Sequence, residues 1–352
     1  MAKYKIAWLP GDGIGVDVTD AARIVLDGIQ LEAEYIPGEI GWTCWERYQN
    51  PLPDETIEIL KNTDCAFFGA ITSKPNVPGY KSPIVKMRRM FDLYINLRPI
   101  KAFPGNPLNL RDDIDIIIFR ENTEDLYMGV EFEPVPSEWL VMPEFNEVAP
   151  DAVVSLRILT PKGCRRIVKA AFEYARKYKR KKVTAVHKAN VVRKTCGLFL
   201  RTAKEVAQEY PEIAFEEANI DAVAMWLIKK PQDYDIIVTT NMFGDIISDE
   251  AAQLVGGLGF ASSGNIGDNY AVFEPTHGSA PKYAGQYKVN PFAAILAARL
   301  MLEWLGEIEK AEKLNNSIAL TIKEGRVRTY DLGGSNSTLE VAEEVVRNLD
   351  RV

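Results

Sequence analysis

The sequence predicts an α/β fold, in which short buried strands alternate with amphipathic helices and many strands pair in parallel. Apolar β-rich runs such as YKIAWLP and IDIIIFR lie between turn residues, and helical patterns such as VDVTDAARIVLDGI follow several of them. The chain has 352 residues, of which 47% are hydrophobic. It is therefore long enough for one large or two medium α/β domains with buried cores.

The elements are predicted in chain order from the same two patterns. After YKIAWLP and its helix, TDCAFFGAIT and IDIIIFR predict two further strands. KKVTAVHK predicts a strand before the helix TCGLFLRTAKEVAQEY, and YDIIVTT predicts one before the helix ISDEAAQLVGGL. The last third predicts two helices separated at Gly306. Residues 131–160, with four prolines among aromatic and β-branched residues, fit either an arm of strand fragments reaching a partner subunit or a long surface loop.

Composition excludes several classes of function. The net charge is −7 and the pI is about 5.2, which argues against a general nucleic-acid or membrane-surface role. No run of 18 apolar residues and no signal-peptide pattern occurs, so a cytoplasmic protein is expected. The four cysteines are far apart and fit buried thiols. With only two histidines, any bound metal should be a hard cation held by oxygen.

The first glycine motif, PGDGIGVDV, follows a strand and opens a helix. The dinucleotide-binding fingerprint of Rossmann folds needs the spacing GxGxxG, but Gly11, Gly13 and Gly15 give GxGxG, and Val18 stands at the third position counted from Gly13. The glycines could instead let the chain turn tightly beneath another ligand.

Basic residues form one candidate cluster. Arg88 and Arg98 lie ten residues apart, and Arg120 ends an apolar strand, close in sequence to Tyr127. The planar guanidinium fork suits carboxylates, so three arginines together favour a polycarboxylate pocket. Salt bridges to nearby acids are the alternative.

Acidic residues form a second cluster. Asp245 and Asp249 lie four residues apart, so on a helix they share one face and repel each other. Asp221 also lies in an apolar stretch, where an unpaired carboxylate is costly. Exposure to water would relieve the repulsion, and so would Mg²⁺ or Mn²⁺ bound by the three carboxylates.

Two further motifs follow predicted strands. Lys188 in HKAN lies at the carboxyl end of a strand, where open α/β sheets hold ligands, and could act as a general base or form a structural ion pair. EPTHGSAPKYAG carries His277 directly before Gly278, and Lys282 and Tyr283 between Gly278 and Gly285, which suits a phosphate site.

Six motifs occur in a consistent order: PGDGIG, DLYxNxRP, RENTEDLY, HKAN, NxxGDxxSD and PTHGSAP. Together they resemble the β-decarboxylating dehydrogenases, namely the isocitrate, 3-isopropylmalate and homoisocitrate dehydrogenases. The resemblance covers essentially the whole chain. It implies the fold of that family, with two α/β domains around a cleft, rather than a standard Rossmann fold.

The resemblance also implies a domain division and an assembly. A discontinuous large cofactor-binding domain would combine residues 1–100 with 259–352. A small domain, residues 101–258, would carry the metal and catalytic residues and a dimerisation arm at about 131–160. The expected assembly is a homodimer or a higher oligomer with active sites shared between subunits.

Site roles follow from the resemblance residue by residue. Arginines 88, 98 and 120 would hold the malate-like carboxylates of a dicarboxylate or tricarboxylate substrate. Asp245 and Asp249, with Asp221 from a second subunit, would hold Mg²⁺ or Mn²⁺ against the substrate hydroxyl and carboxylate. Lys188, also from the second subunit, would assist removal of the hydroxyl proton during hydride transfer. Tyr127 would protonate the product of decarboxylation.

The cofactor is predicted to be NADP, with NAD possible. NAD-using relatives carry an acid and an aliphatic residue where this chain has Lys282 and Tyr283, which suit a 2′-phosphate. Tyr330 matches a tyrosine of NADP-using isocitrate dehydrogenases, but Gly334 replaces their arginine. The complete predicted set of cofactor-binding residues is His277, Gly278, Lys282, Tyr283, Asn290 and Tyr330.

Substrate choice is ranked with isocitrate first, as in the tricarboxylic acid cycle, homoisocitrate second and 3-isopropylmalate third. Ser82 matches a serine that binds the distal carboxylate of isocitrate. Ile84 resembles the apolar residue of isopropylmalate enzymes, and Val85 replaces an arginine of some homoisocitrate enzymes. The loop ITSKPNVPGYKSPIVKMRR is nevertheless similar to homoisocitrate-type loops. A metal-dependent hydrolase and a non-catalytic regulatory subunit are the rival classes.

Overall fold

A computed structural model describes residues 2–74 and 77–352. Its strands, in the described part of the chain, are β1 (Tyr4–Gly11), β2 (Ala33–Pro37), β3 (Cys65–Ala70), β4 (Ile95–Lys101), β5 (Asp115–Glu121), β6 (Glu131–Phe132), β7 (Val154–Ser155), β8 (Lys182–His187), β9 (Ala214–Asn219), β10 (Ile236–Thr239), β11 (Ser262–Ile266) and β12 (Ala271–Pro275). The loop ITSKPNVPGYKSPIVKMRR contains residues 75 and 76, so part of it lies outside the described residues.

The helices within the same residues are α1 (Gly15–Gly28), α2 (Trp42–Tyr48), α3 (Asp54–Lys61), α4 (Pro83–Met90), α5 (Pro161–Lys177), α6 (Thr195–Ala207), α7 (Ile220–Lys229), α8 (Asn241–Gln253), α9 (Phe292–Trp304), α10 (Ile308–Glu324) and α11 (Thr338–Leu349). Gly306 has φ +80° and separates α9 from α10, which confirms the predicted break.

One ten-stranded mixed sheet organises the molecule, in the order β2-β1-β3-β12-β11-β4-β5-β10-β8-β9. Most neighbours are parallel, whereas β11 runs antiparallel to both β12 and β4, and β4 runs antiparallel to β5. Residues 1–101 and 262–275 supply the first six strands, and residues 115–239 supply the other four. The α/β prediction is confirmed. Because the sheet is continuous, the proposed boundaries between two domains remain a prediction.

Helices cover both faces of the sheet. The largest apolar cluster joins α1, α5, α6, α9, α10 and α11 to one face and spans both halves of the sheet. On the opposite face there are two smaller clusters: α7 and α8 pack on β5, β8 and β10, and α3 and α4 pack on β1, β3 and β12. Between these two clusters, α8 packs on β4 and β5, and Arg88 of α4 reaches Asn265 of β11.

The segment 131–160 lies outside the main sheet. Strands β6 and β7 pair antiparallel with each other, and short 3₁₀ turns lie between them. This ribbon contains the predicted strand fragments, and its role as an arm onto a partner subunit remains a prediction. The four cysteines are buried and free, as predicted. Within the described residues, no helix is long and apolar enough to cross a membrane.

Candidate active site

The three arginines lie on two neighbouring strands and one helix. Ile116 and Ile118 of β5 pack on the cluster around α7 and α8, and period-two alternation places Arg120 on the same face at the end of the strand. Arg98 lies on the adjacent strand β4, and Arg88 lies on α4. All three are buried, so each guanidinium needs partners within the protein.

Helix α8 supplies partners for Arg98 and Arg120, whereas Arg88 donates to Asn265 of β11. The Asp245 carboxylate accepts hydrogen bonds from the Arg120 guanidinium and the Tyr127 hydroxyl, and Nη2 of Arg98 lies 3.3 Å from its Oδ1. The Asp249 carboxylate accepts a hydrogen bond of 2.8 Å from Nη1 of Arg98. Arg120 also donates to Asn241 at 2.8 and 3.0 Å. Within the chain, arginines therefore offset the repulsion between the two helix-face aspartates.

The two aspartates differ in their electrostatics. Burial raises the pKa of Asp245, but the neighbouring Arg120 and Arg98 outweigh burial and hold this pKa below its usual range. For Asp249, burial dominates over Arg98, so its pKa lies above the usual range. Burial lowers the pKa of Arg120 to about 10, with Arg98 and Arg88 acting in the same direction. Asp245 is thus the more firmly ionised carboxylate.

A cavity of about 320 Å³ opens beside this cluster. The sequence-predicted residues that line it are Ser82, Arg88, Arg98, Asp245, His277 and Gly278. The polar lining residues that sequence reasoning missed are Ser73, Glu274 and Thr276, and Ile84, considered above for substrate choice, also lines the cavity. Glu274 could have been suspected, because it is an acid within the otherwise apolar strand AVFEP. The cavity lies against the first half of the sheet, and Asp245 of α8 also lines it.

Lys188 and Asp221 lie together in a separate place. Nζ of Lys188 is 2.6 Å from Oδ1 of Asp221 in the same chain, which is the ion pair considered as the alternative for Lys188. The hydrogen bond from Lys188 holds the pKa of Asp221 below its usual range. Across residues 2–74 and 77–352, no group of three potential metal-ligating side chains comes together. Sharing of Lys188 and Asp221 between subunits therefore remains a prediction.

The remaining predicted cofactor residues form their own cluster. The rings of Tyr283 and Tyr330 lie 6.0 Å apart, and the ammonium of Lys282 lies 4.8 Å from the Tyr283 ring centre. Asn290 is buried, donates to Asp331 at 3.0 Å and accepts from the amide of Phe292 at 2.9 Å. Its side chain is thus used within the chain, at the start of α9.

The first glycine loop supports the segment that contains His277 and Gly278. The amide of Ile14 donates to the Ser279 carbonyl at 2.8 Å. Gly13 has φ +58°, and a Cβ there would lie 2.1 Å from the same carbonyl oxygen. Only glycine allows this approach, so the motif serves close packing of two loops.

Gly334 cannot be replaced simply by the arginine of NADP-using relatives. A Cβ at this position would lie 2.1 Å from the carbonyl oxygen of Arg328. Any side chain there would require the backbone of the 328–334 turn to move.

His187, next to Lys188, predicts a pH dependence of stability. Its buried Nδ1 accepts a hydrogen bond of 3.0 Å from the Ala189 amide, which requires a neutral ring. Burial lowers the pKa of His187, so the folded chain binds fewer protons than the unfolded chain as pH falls through the ordinary imidazole range. The contribution of the neutral His187 to the free energy of unfolding is therefore fully present above that range and is lost as the pH falls below it. We expect the urea concentration at the midpoint of unfolding to fall between about pH 7.5 and about pH 5.5, and to fall less in a His187→Gln variant than in the wild type. Identical losses in the two proteins would contradict this assignment.

Comparison with known proteins gives the family. The family profile described as isocitrate/isopropylmalate dehydrogenase matches residues 5–345. A 3-isopropylmalate dehydrogenase of Methanothermobacter thermautotrophicus is 46% identical, over 99% of this chain and 100% of that one. A homoisocitrate dehydrogenase of Methanocaldococcus jannaschii is 45% identical, over 97% and 96% of the two chains.

A solved structure agrees with these sequence relatives. The crystal structure of isocitrate dehydrogenase from Methylococcus capsulatus superposes with a TM-score of 0.91 at 38% identity, and the match covers 98% of this chain and 99% of that one. The resemblance and the fold inferred from the six motifs are confirmed. The chain belongs to the isocitrate/isopropylmalate dehydrogenase family, whose members are β-decarboxylating dehydrogenases.

Proposed function

We propose that this protein oxidises and decarboxylates a 2-hydroxy acid that carries a carboxylate on its third carbon, with isocitrate, NADP and the products 2-oxoglutarate and CO₂ as the first assignment. The observation that carries the proposal is a group of three buried arginines and two helix-face aspartates, of which Arg88, Arg98 and Asp245 line one cavity. A metal-dependent hydrolase would have no evident use for the arginines. A regulatory subunit usually lacks metal or acid–base residues, which this chain retains.

The arginines explain how a polycarboxylate is bound. Arg88 and Arg98 both line the cavity, and Nη1 and Nη2 of Arg98 donate to Asp249 and Asp245. A substrate carboxylate would compete for those same groups, because its geometry matches the guanidinium fork. If Arg98 bound the substrate instead, carboxylate oxygens of Asp245 and Asp249 would become free to bind a divalent cation.

A divalent cation fits the donor set on α8. Asp245 and Asp249 supply oxygen ligands on one helix face, and we infer that Asp221 of a second subunit completes the set, with Mg²⁺ or Mn²⁺ as the ion. When bound, the ion would supply Lewis acidity to the substrate oxygens. NADP would supply the acceptor for hydride.

Proton transfer is assigned to Lys188 and Tyr127. Lys188 of the second subunit would assist removal of the substrate hydroxyl proton. Burial raises the pKa of Tyr127, so its hydroxyl keeps a proton at neutral pH, as a general acid must. In the present arrangement that proton is donated to Asp245. Tyr127 would give it to the carbon from which CO₂ has left.

The preference for NADP predicts the effect of a double substitution. Replacing Lys282 by Asp and Tyr283 by Ile installs the acid–aliphatic pair of NAD-using relatives. We expect the ratio of kcat/KM for NADP to that for NAD to fall by about tenfold to hundredfold, because a charge-assisted contact with the 2′-phosphate is lost. Lys313→Asp on the exposed face of α10 serves as the matched control and should leave the ratio unchanged. An unaltered ratio in the double variant would remove Lys282 and Tyr283 from cofactor recognition.

The substrate assignment rests on the wall of the cavity. Ser82 and Ser73 offer hydroxyl groups there, which suits the distal carboxylate of isocitrate. Ile84 lines the same cavity and is the observation that favours 3-isopropylmalate, while the loop around it favours homoisocitrate. We rank the acids in the order isocitrate, homoisocitrate and 3-isopropylmalate.

The test is a spectrophotometric assay at the NADPH absorbance band with Mn²⁺. It crosses the three acids with NADP and NAD and compares kcat/KM for the six pairs. Fastest turnover of isocitrate with NADP supports the first assignment, and preference for either other acid replaces it. Absence of reduction with every pair would overturn the proposed activity.

A further inference from the structure

We propose that Asn265 is a positioning residue, which holds Arg88 and Arg98 in the orientation that binds the substrate carboxylates. This inference rests on the proposed function, since it assigns those two arginines to the substrate. It concerns a residue in the short antiparallel strand β11 that touches neither the cation ligands nor the predicted cofactor cluster directly. The side chain is completely buried.

Asn265 is the centre of a hydrogen-bonded amide relay. Its Oδ1 accepts three bonds of 2.9 Å, donated by Nε of Arg88, Nδ2 of Asn96 and Nδ2 of Asn122. Oδ1 of Asn96 in turn accepts from Nε of Arg98 at 2.8 Å. The two arginines are thus joined, through their Nε atoms, by a continuous path of two asparagine side chains.

The relay engages only the Nε atom of each guanidinium group. Because Nε of each arginine is engaged by the relay, the Nη groups are left for other partners, and those of Arg98 reach the α8 aspartates. Fixing Nε also fixes the plane of the guanidinium group. That plane decides whether a carboxylate is met by one hydrogen bond or by two.

Amides suit this role better than carboxylates would. A carboxylate at position 265 or 96 would form an ion pair with an arginine and compete with the substrate for its charge. A neutral amide orients the guanidinium and leaves the positive charge for the ligand. Glu274 is the nearby acid, and it lies 3.5 Å from Nη2 of Arg88, whereas Nδ2 of Asn265 donates to it at 2.7 Å. Asn265 therefore takes the closer contact with that carboxylate.

Strand register explains how the relay is built. Asn265 of β11 is the cross-strand partner of Asn96 of β4, and Asn96 is the partner of Arg120 of β5. Directly opposed residues share a face of the sheet, so the three polar side chains form one row on the cavity side. Arg98 lies two residues after Asn96 and therefore faces the same side.

The experiment compares Asn265→Ala and Asn96→Ala with Asn348→Ala. Asn348 is a matched control, because it is buried and its Nδ2 also donates to a side chain, Thr321, but it lies on α11. Measurements are the KM for the hydroxy acid, the KM for NADP, and the dissociation constant of isocitrate with Mn²⁺ by titration calorimetry. Alanine at either relay position should raise the KM and the dissociation constant for the acid by about tenfold or more, with the KM for NADP changed less than about twofold. The control should leave all three unchanged even where its stability falls.

The double variant gives a second criterion. Because both amides act through one path, Asn96→Ala combined with Asn265→Ala should weaken acid binding little more than the stronger single variant. Loss of folding in one relay variant leaves the other to decide the question. Normal affinity for the acid in a folded relay variant, or equal weakening in Asn348→Ala, would overturn the proposal.

The outcomes separate this inference from the proposed function. If wild type binds the acid without turning it over, the activity is wrong, and the ratio of dissociation constants still decides the role of Asn265. If wild type turns over the acid and the relay variants bind it normally, only the positioning role is wrong. If wild type binds none of the three acids, both are overturned.

Discussion

Mixed dimers of Lys188→Ala and Asp245→Asn chains are expected to recover activity that neither variant has alone. Each substitution should lower kcat by about 10²–10⁴-fold, because one removes an acid–base group and the other a proposed cation ligand. In a mixed dimer with shared sites, one site combines the intact Asp245 of one chain with the intact Lys188 of the other. The second site contains both substitutions and is inactive.

The expected amount of recovered activity follows from how the two kinds of chain associate. Random association of equal amounts gives half mixed dimers, each with one working site of two. The unfractionated preparation should therefore show about a quarter of wild-type turnover, and the purified mixed dimers about half. The structural reason is that Lys188 pairs with Asp221, whereas Asp245 pairs with Arg120 and Tyr127. The measurement uses two affinity tags to purify the mixed species after refolding together.

A control distinguishes complementation from contamination. Mixing Lys188→Ala with Lys188→Ala chains that carry the second tag should give no recovery. Purified mixed dimers that remain inactive would show that Lys188 and Asp245 work within one chain, and the proposed second-subunit roles would then be wrong.

Replacing Arg120 by Met should cost both stability and activity. Arg120 is 1% exposed and is bonded to Asn241 and Asp245, so its loss leaves Asp245 without its closest cationic partner. Removal of one member of such a pair is expected to lower the free energy of unfolding by about 3 kcal/mol. We expect kcat/KM to fall by at least about a hundredfold, because the proposed function assigns this charge to a substrate carboxylate. Urea unfolding followed by circular dichroism, together with steady-state rates, gives the two quantities.

Arg111→Met is the matched control for stability. Its partner, Asp113, is exposed, and such surface pairs contribute about 0–1 kcal/mol. Arg120→Lys keeps the charge but loses the planar fork, so it should regain part of the stability and little of the activity. Full activity in Arg120→Lys would mean that charge alone is required at this position.

Local sequence was sufficient for the charged part of the candidate site. Arg120 is conspicuous because it follows a run of apolar residues in β5, and Asp245 and Asp249 are conspicuous because like charges lie on one helix face. Such contradictions between a residue and its neighbours can be read from a single sequence. The alternation of strands and helices likewise predicted the α/β class.

The neutral part of the site could not be found in this way. Asn96 and Asn265 are separated by 169 residues, and they meet only because β11 inserts antiparallel between β12 and β4. Strands β4 and β11 contain several polar or glycine residues, so their hydrophobic pattern is weak. Tyr283 and Tyr330 are likewise brought together by the tertiary fold. Long-range register is decided by packing of the whole sheet rather than by local propensity.

The continuity of the sheet has a mechanical consequence. Arg98 and Arg120 lie on β4 and β5, which are joined by seven register pairs at the point where the two halves of the sheet meet. Rotation of one half against the other can twist this junction but cannot slide the strands apart without breaking backbone hydrogen bonds, at about 1 kcal/mol each. The distance between the backbones of these two arginines is therefore expected to stay constant while other parts of the molecule move. Movements that admit or enclose a ligand are therefore expected in the helices and loops around this junction, while the distance between the two strands stays the same.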